Sequence, residues 1–255
     1  MKAALAIREV VAEVTALRQA AQANPRLDLA IRAVKQFQQY RFAGTYRDLA
    51  QDVRYQSATQ FFMTELYGDA NFVERDAQFA RIAGAIQRLL PEAAVDTAVA
   101  LARLHGLSEQ LDHAMGRAWL AIEQSPFSAG SARYVQAWRM TAGPEARLQQ
   151  LGLVLEIGTE LARLTRKPGL RSMLRAMRAP ASMASLSALQ HFLETGFDAF
   201  SSLAKLDPGA KGFLEHIRHR ESSLMSALFD GSSDHGQELL EKATGNSSSS
   251  GTGAR

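Results

Sequence analysis

Three side chains at intervals of four residues have the types and the spacing of a metal site. They are His105, Glu109 and His113, and on an α-helix residues four apart lie on one face. Imidazole and carboxylate groups placed in this way can share a divalent ion in a helical bundle. The chain has neither Glu-x-x-His nor His-Glu-x-x-His, so a solvated polar face is the favoured interpretation. We therefore predict no bound metal and no other cofactor.

A single acid lies inside an apolar run in QFFMTELYGD, residues 60–69. Glu65 falls in the last turn of a predicted helix, where the helix dipole disfavours a negative charge. Arg75 lies near the apolar face of the next predicted helix, and a short turn joins the two helices. We predict a structural ion pair between Glu65 and Arg75. The alternative is an interior catalytic or ligand-binding site, built from Glu65, Tyr67, Arg75, His105 and Glu109.

The same stretch resembles the signature of an uncharacterised bacterial family named for its FFLEELY motif. Here the motif reads FFMTELY at residues 61–67, with Met63 in place of Leu and Thr64 in place of the first Glu. The matching residues are Phe61, Phe62, Glu65, Leu66 and Tyr67. The resemblance extends over much of residues 46–229. It implies an all-helical bacterial protein and no known activity.

One segment carries the whole excess of positive charge. Residues 161–193 contain six Lys and Arg side chains and no Asp or Glu, whereas the complete chain has a formal net charge of +3. Within this segment, residues 169–178 form a predicted amphipathic helix. Its apolar stripe lies beside a basic stripe of Arg171, Arg175 and Arg178. Such a helix can contact an acidic partner, an anionic surface or phosphates, or it can be an ordinary bundle helix whose arginines pair with nearby acids.

The fold class follows from composition and periodicity. Helix-forming residues dominate, no run alternates with period two, and prolines fall where apolar periods stop. We predict a single all-α bundle of about ten helices over residues 1–230, packed around a central buried helix at 144–166. The predicted helices lie near 3–22, 26–41, 46–67, 72–90, 92–124, 129–142, 144–166, 169–178, 181–204 and 210–229.

The C-terminal residues and the cysteine content lead to further predictions. Residues 231–255 are predicted to be a disordered low-complexity tail, because they end in GNSSSSGTGAR. No apolar run is long enough to cross a membrane. The chain contains no Cys, which excludes disulfides and thiolate chemistry, and a cytoplasmic location fits.

Glu221 falls inside an apolar stripe, so we expect an arginine to pair with it.

Three functions remain open at this point. The favoured one is a non-enzymatic binding or adaptor protein that contacts an acidic partner or an anionic surface through residues 169–178. The alternative is a helical enzyme or small-ligand-binding protein with the interior polar site described above. A DNA-binding regulator is a third possibility, but the sequence has no helix-turn-helix signature and no other specific nucleic-acid motif.

Overall fold

The computed structural model describes residues 2–66, 73–122, 130–141, 143–229 and 233–245. The predicted all-α class is confirmed, because these ranges contain thirteen α-helices and one π-helical turn and no strand. None of the helices in the described ranges is both long and apolar enough to cross a membrane. The structure therefore consists of helices packed on helices, with short connections between them.

The helices follow the order of the chain. They are α1 (Lys2–Gln22), α2 (Pro25–Thr45), α3 (Arg47–Gln51), α4 (Gln56–Phe61), the π-helical turn (Phe62–Leu66), α5 (Val73–Leu89), α6 (Glu92–Ala121), α7 (Gly130–Met140), α8 (Pro144–Leu164), α9 (Leu170–Ala176), α10 (Arg178–Met183), α11 (Ser187–Leu203), α12 (Gly209–Phe229) and α13 (Ser233–Thr244). Eight of the ten predicted helices correspond to one α-helix each, and those at 46–67 and 181–204 are divided.

Local chemistry explains several of the boundaries. Pro25 and Pro144 each occupy the first turn of a helix, where the missing N–H has no intrahelical partner to lose. The Asn24 side chain accepts a hydrogen bond from the Leu27 amide at 3.3 Å and caps α2. The predicted helix at 46–67 is interrupted because the Asp52 side chain accepts the Arg54 amide at 2.9 Å, which holds a turn there.

The central helix is α6 rather than the predicted helix at 144–166. Among the described residues, α6 packs against α1, α2, α5, α7 and α8. By contrast, α8 buries only one side, and Leu148 is 55 % exposed. The apolar residues of α8 do spread around its circumference, but on its outer side Leu148, Gly152 and Glu156 are exposed. A count of apolar side chains cannot indicate which of them a neighbour covers.

Two glycines of α6 allow the first two helices to approach closely. A Cβ atom on Gly106 would lie 2.7 Å from Cγ1 of Val10 in α1. A Cβ atom on Gly116 would lie 2.4 Å from Cγ1 of Ile31 in α2. Side chains at either position would force the helices apart. The close approach brings polar side chains of α1 and α2 within reach of α6.

An aromatic part of the main core lies between α4, the π-helical turn, α11 and α12. Phe61 and Phe62 are both 3 % exposed. The ring centroids of Phe61 and Phe192 lie 5.6 Å apart, and those of Phe62 and Phe213 lie 5.5 Å apart. Aromatic pairs at these distances add to the free energy of folding beyond their buried area. The two phenylalanines that open the FFMTELY segment are thus core residues.

The C-terminal region contains a helix that the sequence analysis did not predict. Helix α13 packs against α2, α7 and α12, and Leu240 is fully buried in the main core. A Cβ atom on Gly44 of α2 would lie 1.5 Å from the Ala243 carbonyl oxygen, so the two helices meet closely. The prediction of disorder is therefore wrong for Ser233–Thr244. Residues 246–255 lie outside the described residues.

Helix α13 is expected to contribute to stability through Leu240. Leu240→Ala should lower the free energy of unfolding by about 2–5 kcal/mol, because it removes a fully buried side chain and leaves a cavity. Glu238→Ala on the exposed side of the same helix is the matched control. Urea denaturation at neutral pH measures both variants. Equal, small losses would show that α13 is not part of the folded core.

Candidate functional site

The π-helical turn at Phe62–Leu66 ends against α5 of the bundle. Arg75 of α5 donates a hydrogen bond from Nη1 to the carbonyl oxygen of Glu65 at 2.9 Å. Its guanidinium also lies over the ring of Phe192, 4.8 Å from the centroid. The last carbonyls of a helix lack intrahelical partners, and Arg75 satisfies one of them. The arginine therefore fixes the end of the turn onto α5 and α11.

The predicted partners Glu65 and Arg75 do lie close together, but the described hydrogen bond uses the main chain of Glu65. Burial lowers the pKa of Arg75, although the charges of Asp76 and Glu65 oppose this effect. The carboxylate nearest to the guanidinium among the described ion pairs is Asp76, 3.8 Å from Nε. A direct ion pair with the Glu65 side chain stays a prediction. Tyr67 lies outside the described residues.

Asp76 is the next member of a chain of buried charges. Its Oδ2 accepts a hydrogen bond from Arg18 Nη1 of α1 at 2.9 Å. The same oxygen lies 2.8 Å from His105 Nε2 of α6, and because a carboxylate only accepts, that nitrogen carries the hydrogen. Burial raises the pKa of Asp76, but His105 and Arg18 outweigh it and hold the pKa below its ordinary value.

Glu109 continues the chain one turn further along α6. Its Oε1 accepts hydrogen bonds from Arg18 Nη2 at 3.1 Å and from Lys35 Nζ of α2 at 2.9 Å. Burial raises the pKa of Glu109, but the two cations outweigh it and lower that pKa overall. Arg18 thus joins Asp76 to Glu109, and three helices meet at this arginine and its two acids.

Asp112 ends the chain of acids and is held differently. Lys35 Nζ lies 3.7 Å from its Oδ2, and Gln38 donates to its Oδ1 at 3.1 Å. Burial is the largest influence and raises the pKa of Asp112, and neighbouring Glu109 raises it further. We call the whole set the ion network: Arg18, Lys35, Gln38, Arg75, Asp76, His105, Glu109 and Asp112. Its three acids face three cations, so its formal charges balance.

The predicted metal-binding residues divide between two environments. His105 and Glu109 belong to the ion network, and Glu109 is only 9 % exposed, so the expectation of a solvated face is wrong for that residue. His113 lies apart from the network, and its Nε2 is buried with no hydrogen-bond partner among the described residues. Burial lowers the pKa of His113. The described residues contain no group of three His, Cys, Asp or Glu side chains placed to hold a metal ion.

The predicted basic helix is α9, followed immediately by α10. Arg171 pairs with Asp198 of α11 at 2.9 Å, and Arg178 donates from Nε and Nη2 to both carboxylate oxygens of Glu194. The hydrogen bond from Arg178 lowers the pKa of Glu194 to about 2. Arg175 is exposed and takes part in no ion pair among the described contacts. The structure thus brings two of the three predicted arginines onto acids of its own chain.

The connections around α9 and α10 make this region a separate surface feature. Gly169 has a φ of +83°, which allows the sharp turn into α9, and Ser185 has a φ of +54° after α10. The Gln190 side chain of α11 donates to the carbonyl oxygen of Leu174 at 2.7 Å. We call residues 165–186 the basic hairpin. The predicted helix at 181–204 is divided at this point, since α10 ends before α11 begins.

A further buried ion pair confirms the expectation for Glu221. Arg41 of α2 lies 2.5 Å from the carboxylate of Glu221, and the hydroxyl group of Tyr46 donates to it at 2.8 Å. Arg41 is not predicted from the sequence as this partner, and neither Arg18 nor Lys35 is predicted as a member of the ion network. One signal was available: Lys35, Gln38 and Arg41 recur every three residues along α2, which places them on one side of the helix.

Comparison with known proteins adds one finding. A family model described as "Domain of unknown function (DUF8198)" matches residues 17–235. The chain belongs to this family. No curated protein and no solved structure matches the chain. Membership of the DUF8198 family supports the expected relation to an uncharacterised group and assigns no activity to the residues described above.

The chemistry available to the ion network of this DUF8198 protein is limited by its own contacts. Asp76 and Glu109 each accept from two partners, and their side chains are 7 % and 11 % exposed. A cleft of about 280 Å³ between α6 and α8 is lined by other residues. Acids that are buried and already paired are typical of structural networks. We therefore assign the ion network to the scaffold.

The main-chain contact of Arg75 leads to a prediction of unequal losses. Arg75→Met should lower the free energy of unfolding by about 3 kcal/mol, because the Glu65 carbonyl and Asp76 lose a buried cation. Glu65→Ala keeps the carbonyl and should cost less than about 1 kcal/mol. Chemical denaturation of both single variants and of the double variant measures the difference. A Glu65→Ala loss as large as that of Arg75→Met would instead identify the carboxylate as the main partner.

The opposite pKa shifts of two acids in the ion network lead to a second prediction. Asp76→Asn should cost about 3–5 kcal/mol at pH 7, since it leaves Arg18 with less compensation in a buried position. Asp112→Asn should cost less than about 1 kcal/mol, because burial already disfavours the charged form of Asp112. The two substitutions are chemically identical, so each is the control for the other. Similar losses in urea denaturation would contradict this division.

Proposed function

We propose that this protein is a non-enzymatic binding protein that contacts an acidic protein surface through the basic hairpin. The hairpin lies on the outside of the bundle, and Ala181 is the only one of its residues that is buried. A segment with so few core contacts adds little to the stability of the bundle. Its helical order together with its exposure is what a docking element requires.

The cations that remain available carry this proposal. Arg166, Lys167 and Arg175 are exposed and form no ion pair among the described contacts. Arg171 and Arg178 are instead held by α11, which keeps the hairpin in place. Arg166, Lys167 and Arg175 therefore lie on a segment whose other two arginines, Arg171 and Arg178, are neutralised by acids. Rim charges of this kind attract an oppositely charged partner and increase the rate of association.

The orientation of the apolar stripe favours a protein partner over a membrane. Leu170, Met173 and Leu174 are half-buried on the side that packs against α11. An amphipathic helix that lies on a membrane has to insert this stripe into the lipid. Only Met177, 39 % exposed, and Met183, 89 % exposed, are left as large apolar groups facing outward. Flexible methionines suit a protein surface, to which they can adapt.

The alternative of an enzyme or a ligand-binding protein has less support. It would use Glu65, Arg75, His105 and Glu109, and the last three belong to the ion network described above. The acids of that network are already paired with cations. The bacterial origin, the cytoplasmic location and the FFLEELY motif as a mark of the family remain parts of the proposal.

Reversing the three free cations should abolish binding to an acidic protein. The variant carries Arg166→Glu, Lys167→Glu and Arg175→Glu, and a poly-glutamate peptide is the probe in a titration at low salt. We expect the dissociation constant to rise by more than about tenfold, since attraction becomes repulsion. The control reverses three exposed cations elsewhere: Arg103, Lys205 and Lys211. It should bind poly-glutamate as the original chain does.

Two other probes separate the alternatives. Vesicles of phosphatidylglycerol represent an anionic membrane surface, and a short DNA duplex represents nucleic acid. Binding to vesicles or DNA without binding to poly-glutamate would overturn the proposal in favour of that class of partner. Equal loss of poly-glutamate binding in the test and control variants would show that the binding is a nonspecific effect of net charge and would overturn the proposal.

A further inference from the structure

An acidic cleft lies between α6 and α8, next to the start of the basic hairpin. Its walls include Asp96 and Thr97 from α6 and Glu156, Ile157, Glu160 and Arg163 from α8, and its volume is about 280 Å³. Three carboxylates thus line a cleft that contains a single guanidinium. The apolar part of the lining gives a partner side chain a surface to pack on.

Only one of these three carboxylates is paired with a cation among the described ion pairs. Arg163 donates to Glu160 from Nε at 2.9 Å, so this pair is neutral. Asp96 and Glu156 form no ion pair among the described contacts. The cleft therefore keeps two negative charges, and the hairpin of the same chain keeps three positive charges on Arg166, Lys167 and Arg175. Surfaces of opposite charge and comparable magnitude on one molecule are complementary between two copies.

We propose that this cleft receives the basic hairpin of a second copy of the chain. The inference rests on the proposed function, since it uses the same cations, and it names their acidic partner. No described ion pair within one chain joins these cations to Asp96 or Glu156, so the complementary charges remain available to another molecule.

The positions of the cleft and the basic hairpin along the chain favour a closed two-fold dimer. The cleft extends to Arg163, and the hairpin begins at residue 165. Because the two surfaces are neighbours, a two-fold axis between two copies can place each hairpin against the cleft of the other. Such a pair contains the contact twice and leaves neither surface open. The formal net charge of +3 per chain is small, so long-range repulsion between the copies is weak.

Sedimentation equilibrium over a range of protein concentrations tests this inference. The original chain should form a species of twice its 27.8 kDa mass at low salt and should dissociate as salt is added. A cleft variant with Asp96→Lys and Glu156→Lys should weaken the dimer by at least about tenfold. So should the hairpin variant with Arg166→Glu, Lys167→Glu and Arg175→Glu. A chain that combines all five reversals restores the complementarity and should dimerise again.

The combined variant separates a specific contact from damage to the fold. Circular dichroism should show the same helical content in every variant, because all five positions lie outside the core clusters. A monomeric original chain, or a combined variant that stays monomeric while folded, would overturn the inference. A cleft variant that dimerises as the original chain does would overturn it as well.

The proposed function can fail independently of this inference. If the hairpin variant loses poly-glutamate binding while the original chain is monomeric, the hairpin is a docking element for some other acidic protein and only the self-association is wrong. If the hairpin variant binds poly-glutamate as the original chain does, the proposed function is wrong, whatever the oligomeric state.

Discussion

Two buried acids, Asp76 and Glu109, form ion pairs with cations of neighbouring helices, and the rest of the bundle depends on these ion pairs. A carboxylate removed from water costs several kcal/mol unless a cation and hydrogen bonds compensate it. The cations come from α1 and α2, which can reach α6 because Gly106 and Gly116 present no side chain between the helices. Helix packing and charge compensation therefore depend on each other. The close approach of the helices brings Arg18 to Asp76 and Glu109, and these acids are stable in a buried position only when the helices approach closely.

Much of the fold could be predicted because it depends on neighbouring residues. The all-helical class follows from helix-forming composition, and the starts of α2 and α8 follow from Pro25 and Pro144. The position of a helix within the bundle depends on distant parts of the chain, so the apolar circumference of α8 predicts a central position that α6 occupies instead. Helix α13 was missed because Leu240 lies beside a low-complexity sequence that dominated the local composition.

The candidate site shows the same limit at the level of single residues. Glu65, Arg75 and Glu221 could be recognised as charges near apolar stripes, which need partners. The partners themselves could not be read, since Arg18 lies 58 residues from Asp76 and 91 residues from Glu109. Pairing over such distances is decided by which helix faces meet. For the basic hairpin, the sequence indicated the charge, but the acids of α11 that neutralise two of the three arginines of its predicted stripe became apparent only in three dimensions.

The contact between α13 and α2 has a consequence for how the protein is made. A ribosome synthesises α2 long before α13, yet Leu240 of α13 belongs to the same core as α2 and α12. From the synthesis of α2 until that of α13, the apolar surface that receives Leu240 therefore lacks this side chain. The nascent chain cannot complete this core until α13 has been made, and over that interval the uncovered apolar surface favours aggregation.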